Sequence, residues 1–144
     1  MEDNLARRVT EQLISLEGTA GAWNLVLEEA REGYARVSME VRPEMLNGHR
    51  TAHGGMIFAL ADTAFAYACN SRNEATVVQQ ASILFLAPAQ QGDVLVAEAR
   101  ENALVGRAGA YSVTVTRRDG RSIAEFQGLS RTIGGPVLPA QEQD

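Results

Sequence analysis

His53, Gly54 and Gly55 stand directly before a nearly all-apolar segment, Met56 to Cys69, whose one carboxylate is Asp62. A carboxylate among apolar neighbours is costly to keep as an ion, so it must reach water or a partner, or be held there for its altered acidity. A Gly-Gly pair leading into such a segment predicts a loop entering a helix. At that point free backbone N–H groups and the positive end of the helix dipole can bind an anion or a developing oxyanion. Gly54 and Gly55 let a ligand come close to this backbone. Asp62 lies eight residues beyond Gly54, about 12 Å along a helix axis, so the two cannot touch one carbonyl group within a single copy. If an equivalent helix of a second copy runs antiparallel beside the first, the Gly54 end of one meets the Asp62 of the other. A symmetric dimer would then hold two such sites.

The elements that must position these residues are legible from periodicity. Leu5, Val9, Leu13 and Leu16 recur at helical spacing after the cap candidates Asp3 and Asn4, and Gly18 stops the run. A period of two marks strands at Trp23–Leu27 and Ala35–Val41, the second ended by Pro43. After the apolar helix, strand-length runs follow at Val77–Leu86 and Val94–Ala99, bounded by Pro88 and by Gln91-Gly92-Asp93. Tyr111, Val113 and Val115 alternate with polar residues, Asp119-Gly120 makes a tight turn, and Ser122–Thr132 returns. One long helix, two strands before it and four antiparallel strands after it, imply an α+β fold with a curved sheet wrapped round that helix. Residues 1–136 form the expected single domain, with 137–144 a loose tail.

Composition narrows the function classes. The chain has 144 residues and a formal charge of -5, which argues against general affinity for nucleic acid or an anionic membrane. All 13 basic residues are Arg. Arg suits phosphate, although a coding bias explains the absence of Lys more simply. Cys69 is the single cysteine, so no intrachain disulfide forms, and no signal-peptide pattern opens the chain. The expected compartment is the cytoplasm. The Met56–Cys69 run falls short of the ~20 residues that span a bilayer.

Met45-Leu46-Asn47-Gly48-His49, His53-Gly54-Gly55 and the run from Leu60 to Ser71 resemble the PaaI-type hydroxyphenylacetyl-CoA thioesterases of the hotdog fold. The His-Gly-Gly element with Asp62 behind it marks the wider thioesterase superfamily. Ala61-Asp62-Thr63-Ala64-Phe65-Ala66-Tyr67-Ala68-Cys69-Asn70-Ser71 is the narrower signature. The resemblance implies acyl-CoA as substrate, phenylacetyl or hydroxyphenylacetyl as the acyl group, no cofactor or metal, and a homotetramer. It also implies roles. Asp62 acts as nucleophile or as general base for water, the partner subunit supplies the Gly54 N–H as oxyanion donor, and Asn47 and His53 position substrate or water. Thioester hydrolysis fits these residue types, because it needs an activated oxygen and an oxyanion donor while the thiolate leaves without a strong acid.

Some superfamily members hold the attacking water with a hydroxyl at places that here are Ala66 and Val78. Thr63, Gln79, Gln80, Ser82 or the backbone would have to substitute. Arg50 in the motif loop, with Arg107 and Arg131 at strand ends, are the expected contacts for CoA phosphates, and Gly55 borders the substrate. Each residue also has a plainer reading. Asp62 can cap a neighbouring backbone, His53 and His49 can be loop histidines, and Asn47 beside Gly48 can simply make a turn. Phe65 and Tyr67 suit the core, Arg117, Arg118 and Arg121 suit solvent, and Cys69 suits a small buried hydrophobe. Two other functions fit a hotdog domain, an acyl-CoA binding module and a dehydratase or hydratase. A buried carboxylate argues against the first, and a catalytic His with an acid at dehydratase spacing, needed for the second, is not evident.

Overall fold

The computed structural model describes residues 4–140. Helix α1 spans Asn4–Leu16, the one-turn helix α2 Thr19–Ala22 and the long helix α3 Gly54–Cys69. The strands are β1 Val26–Arg31, β2 Tyr34–Glu40, β3 Thr76–Phe85, β4 Val94–Val105, β5 Ala108–Arg117 and β6 Ser122–Thr132. They form one antiparallel sheet in the order β1-β2-β4-β5-β6-β3. The chain therefore leaves β2 near one edge, crosses the sheet as α3, and re-enters at the far edge as β3. This crossing lays α3 over β4, β5 and β6 and gives the hotdog arrangement expected from the order of elements.

The core lies between α3 and the inner face of the sheet. Leu60, Ala61, Ala64, Phe65 and Ala68 are fully buried against Val113, Val115, Ile123 and Phe126. Burial of each large side chain contributes about 1.5–3 kcal/mol. Phe65 meets Tyr111 and Phe126 with ring centroids 5.3 and 5.8 Å apart, tilted as the ring quadrupoles prefer. Directly under it lies Gly128, where an added Cβ would sit 2.7 Å from the Phe65 ring. The glycine thus makes room for the aromatic side chain that anchors the helix.

Three boundaries differ from those read in the sequence. Trp23, Leu25 and Leu27 alternate and all pack on the core, but Trp23 caps α2, Asn24 turns at φ 52° and the Leu25 N–H bonds Ala20 O, so β1 begins only at Val26. β4 runs on to Val105, past the expected end at Ala99. Packing also continues beyond Pro136, because the N–H groups of Val137 and Leu138 both donate to Asn73 Oδ1 at 2.9 Å and Leu138 is buried. The cap candidate Asp3 and residues 141–144 of the tail lie outside the described residues. Among those described, no helix is long and apolar enough to cross a membrane.

Candidate active site

The loop before α3 is built by Asn47. Its carboxamide oxygen accepts from the N–H groups of His49 and Thr51 at 2.9 and 3.2 Å and from the Thr51 hydroxyl at 3.3 Å. Leu46 and Ala52 form an isolated bridge across this loop. Its oxygen is thereby committed to loop geometry. His53 follows as the N-cap of α3, with its N–H on Met45 O at 2.8 Å.

The capping leaves one donor over. His53 Nδ1 accepts the Gly55 N–H at 2.9 Å, and His53 O accepts those of Met56 and Ile57 at 2.9 and 3.3 Å. Of the four N–H groups that a helix start leaves without an intrahelical partner, only that of Gly54 makes no hydrogen bond among the described residues. A Cβ built on Gly54 would lie 3.1 Å from the Phe85 ring, so any side chain there would have to displace that ring. Beside it opens a cavity of about 390 Å³, walled by Ala52, Ile57, Phe85, Leu86 and Pro88. Nothing in the strand pattern distinguished Phe85. The one available signal was its place in Ile83-Leu84-Phe85-Leu86, four successive large apolar residues where an alternating strand would show polar ones.

Asp62 faces the stripe of α3 that the protomer does not cover, which includes Gly55, Ala59, Thr63 and Ala66. Among the described residues none donates a hydrogen bond to its carboxylate or forms an ion pair with it. Partial burial alone raises its pKa above the ordinary carboxylate value. The reading of Asp62 as a cap for neighbouring backbone therefore has no support here. Thr63, the residue beside it, donates its hydroxyl to Ala59 O at 2.7 Å.

β3 places the other candidates. Its register against β6 slips between Val78 and Gln80, leaving Gln79 bulged. Val78 pairs with buried Ser130, and Ala81 and Ile83 with buried Gly128 and Phe126, so these residues face α3. Gln80 and Ser82 instead pair with Leu129 and Gln127 and point to the outer face. The bulge reverses the side on which they would otherwise stand, so neither joins Asp62 within the protomer. Ala66 and Val78 offer no hydroxyl.

Arg50, Arg107 and Arg131 are exposed, and among the described residues none forms an ion pair. Most other arginines do, including Arg72 with Glu101 and Arg118 with Glu28. Arg50 sits at φ 64° in the loop before α3. Arg107 and Arg131 stand together at the opposite end, where the Thr132 N–H donates to Arg107 O at 2.8 Å and Ala108 pairs with Arg131. Between them and the end of α3 lies a pocket of about 220 Å³, lined among others by Cys69, Thr76, Tyr111, Ser130 and Thr132. Burial pushes the Cys69 thiol up to about 12, which makes it a packed hydrophobe and not a nucleophile. The structure thus gathers Asn47, Arg50, His53, Gly54 and Gly55 at one end of α3. Asp62 and Thr63 lie midway, and Arg107 and Arg131 at the other end.

Residues 49–124 match the thioesterase superfamily. The chain is 44% identical over 106 residues to the acyl-coenzyme A thioesterase PaaI of Escherichia coli (strain K12), covering 74% of this chain and 76% of that protein. The solved structure of the E. coli PaaI protein from the phenylacetic acid degradation operon superposes with a TM-score of 0.91 at 37% identity, over 94% of this chain and 99% of that one. Smu.793 from Streptococcus mutans UA159, solved bound to acetyl CoA, superposes with a TM-score of 0.75 at 27% identity, over 78% and 91% of the two chains.

Proposed function

The chain belongs to the thioesterase superfamily and is a thioester hydrolase of the PaaI type, and we propose that it cleaves phenylacetyl-CoA or hydroxyphenylacetyl-CoA in a cleft shared by two copies. The observation that carries this reading is the separation of two unsatisfied groups on α3, the Gly54 N–H and the Asp62 carboxylate, with the uncovered stripe of the helix between them. Eight residues of helix keep them about 12 Å apart. A second helix running antiparallel closes that gap and buries both groups.

In the closed cleft the thioester oxygen accepts from the Gly54 N–H of one copy, at the positive end of a 16-residue helix. Asp62 of the other copy faces the carbonyl carbon, directly as nucleophile or through a water as base. Its lack of partners suits both roles. A carboxylate without hydrogen bonds, in a site that desolvates it, is more basic and more reactive than one in water. The CoA thiolate leaves without an acid. His53 and Asn47 act through the loop geometry that leaves Gly54 free.

The free edge of β3 supports assembly. Val77, Val78, Leu84, Phe85 and Leu86 are 40 to 68% exposed along it, and an unpaired edge of ten residues is a template for pairing. Pairing with the same edge of a second copy covers these side chains and sets the two α3 helices antiparallel. Two such dimers make the tetramer that the PaaI-type resemblance implies. Phenylacetate catabolism is the setting the E. coli relative suggests, and the cytoplasm the compartment. The test is thiol release over a panel of acyl-CoAs, with Asp62→Ala as control. Release from arylacetyl thioesters that disappears in the variant is the expected result, and binding without release would overturn it.

A further inference from the structure

Two cavities open near the cleft. The one beside Gly54 is walled by Ala52, Ile57, Phe85, Leu86 and Pro88. Asn47 and Thr51 line it as well, and the Asn47 oxygen already takes three hydrogen bonds from the loop. The pocket at the far end of α3 is lined by the hydroxyls of Thr76, Tyr111, Ser130 and Thr132. Arg72 and Glu74 line it as well, while Arg131 stands on β6 between the lining residues Ser130 and Thr132 and so faces the other side of the sheet.

An acyl-CoA has one apolar end and one end carrying several phosphates, and the acyl group is the part bonded directly to the thioester carbonyl. We propose that the acyl group enters the cavity beside Gly54 and that Phe85 is the specificity-determining residue there. The inference rests on the thioesterase reading above and deepens it. Phe85 is 53% exposed, yet its ring lies within van der Waals reach of the backbone whose N–H meets the thioester oxygen. A flat acyl group bonded to that carbonyl stacks against or edges onto the ring, as aromatic pairs prefer. A linear chain makes fewer contacts with it. The subunit that supplies the oxyanion donor therefore also selects the acyl group.

The test compares the parent protein with Phe85→Ala and Phe85→Leu, measuring kcat/KM for phenylacetyl-CoA and acetyl-CoA and inhibition by free CoA. Phe85→Ala should lower kcat/KM for phenylacetyl-CoA by at least about tenfold and that for acetyl-CoA by less than about threefold, with the inhibition constant of CoA unchanged. Phe85→Leu, which keeps an apolar wall, should fall between. Equal losses on both substrates would mean that the ring supports the fold or the assembly, and weaker CoA inhibition would mean that the cavity takes the pantetheine arm. Either outcome overturns the inference while leaving the thioesterase reading intact. No thiol release by the parent protein from either substrate would end that reading, and this inference with it.

Discussion

The imidazole Nδ1 of His53 accepts the N–H of Gly55 at 2.9 Å, which fixes the ring with its proton on Nε2. The same contact satisfies the neighbour of Gly54 and leaves the Gly54 donor free. One capping interaction thus decides which backbone donor at the helix start is left without a partner.

His53→Ala should therefore cost stability and activity together. Loss of a helix cap costs about 1 kcal/mol, a fall of roughly 3 °C in Tm for a domain of this size. It also leaves Gly55 as a competing donor, and thiol release should fall by about tenfold or more. His53→Asn, whose oxygen can accept from the same N–H, should restore both. A variant with restored Tm that remains slow would assign the imidazole a direct part in the reaction instead.

Asp62→Asn separates catalysis from stability in opposite directions. Activity should drop by about 10²–10⁴, the usual worth of a positioned base. Burial raises the Asp62 pKa in the folded state, so the fold favours the neutral acid. The stabilising contribution of this group is complete below its unfolded pKa, near 4, and is lost as pH rises through the folded value. At pH 8 the parent holds an uncompensated carboxylate that the amide variant lacks. The variant should melt a few degrees higher there, with the gap closing toward pH 4. The acid limb of the parent's pH–rate profile should likewise sit above the ordinary carboxylate range. A lower Tm for the variant at pH 8 would show that Asp62 has a structural partner.

The helix start, the unpartnered carboxylate and the order of elements were legible because each depends on local chemistry: glycines at a helix entrance, an ionisable group in an apolar run, and alternation in strands. The side on which Gln80 and Ser82 stand was not. It turns on one bulged residue, Gln79, and a bulge depends on pairing with β6, which lies more than forty residues away in the chain. Phe85 escaped notice for a related reason. An apolar residue at a strand end reads as core, and only the crossing of α3 brings its ring against Gly54. The start of β1 was misplaced because Trp23 and Leu25 are half-buried from within a turn, where burial follows the same alternation as in a strand.

A shared site has a direct test in mixing two inactive chains. Asp62→Ala removes the carboxylate, and Gly54→Val drives a branched side chain into the Phe85 ring, which would stand only 3.1 Å from a Cβ at that position. In a heterodimer one site carries both defects and the other carries neither. With free subunit exchange at equal amounts, half the dimers are mixed, and about one-quarter of the parental activity should return. Exchange proven by mass spectrometry without any recovery would place both groups of each site on one copy.

Arg107 and Arg131 gather at the end of α3 away from Gly54, and an acidic chain that binds a polyphosphate needs such local positive charge to offset its overall repulsion. Arg107→Ala and Arg131→Ala should each raise KM for an acyl-CoA by about threefold to tenfold with kcat nearly unchanged, because the phosphates are bound alike in the ground and transition states. Added salt should shrink the difference, since both side chains are exposed and charges in water are screened over about 8 Å at physiological ionic strength. A truncated thioester that lacks the nucleotide should be hydrolysed by parent and variants at equal rates. Arg50 provides the geometric comparison. In one protomer it lies at the opposite end of α3, but an antiparallel second helix brings it toward Arg107 and Arg131 of the other copy, so Arg50→Ala should show the same KM effect in the dimer. Losses of equal size on full-length and truncated substrates would assign these arginines to the fold or to the chemistry and not to the phosphates.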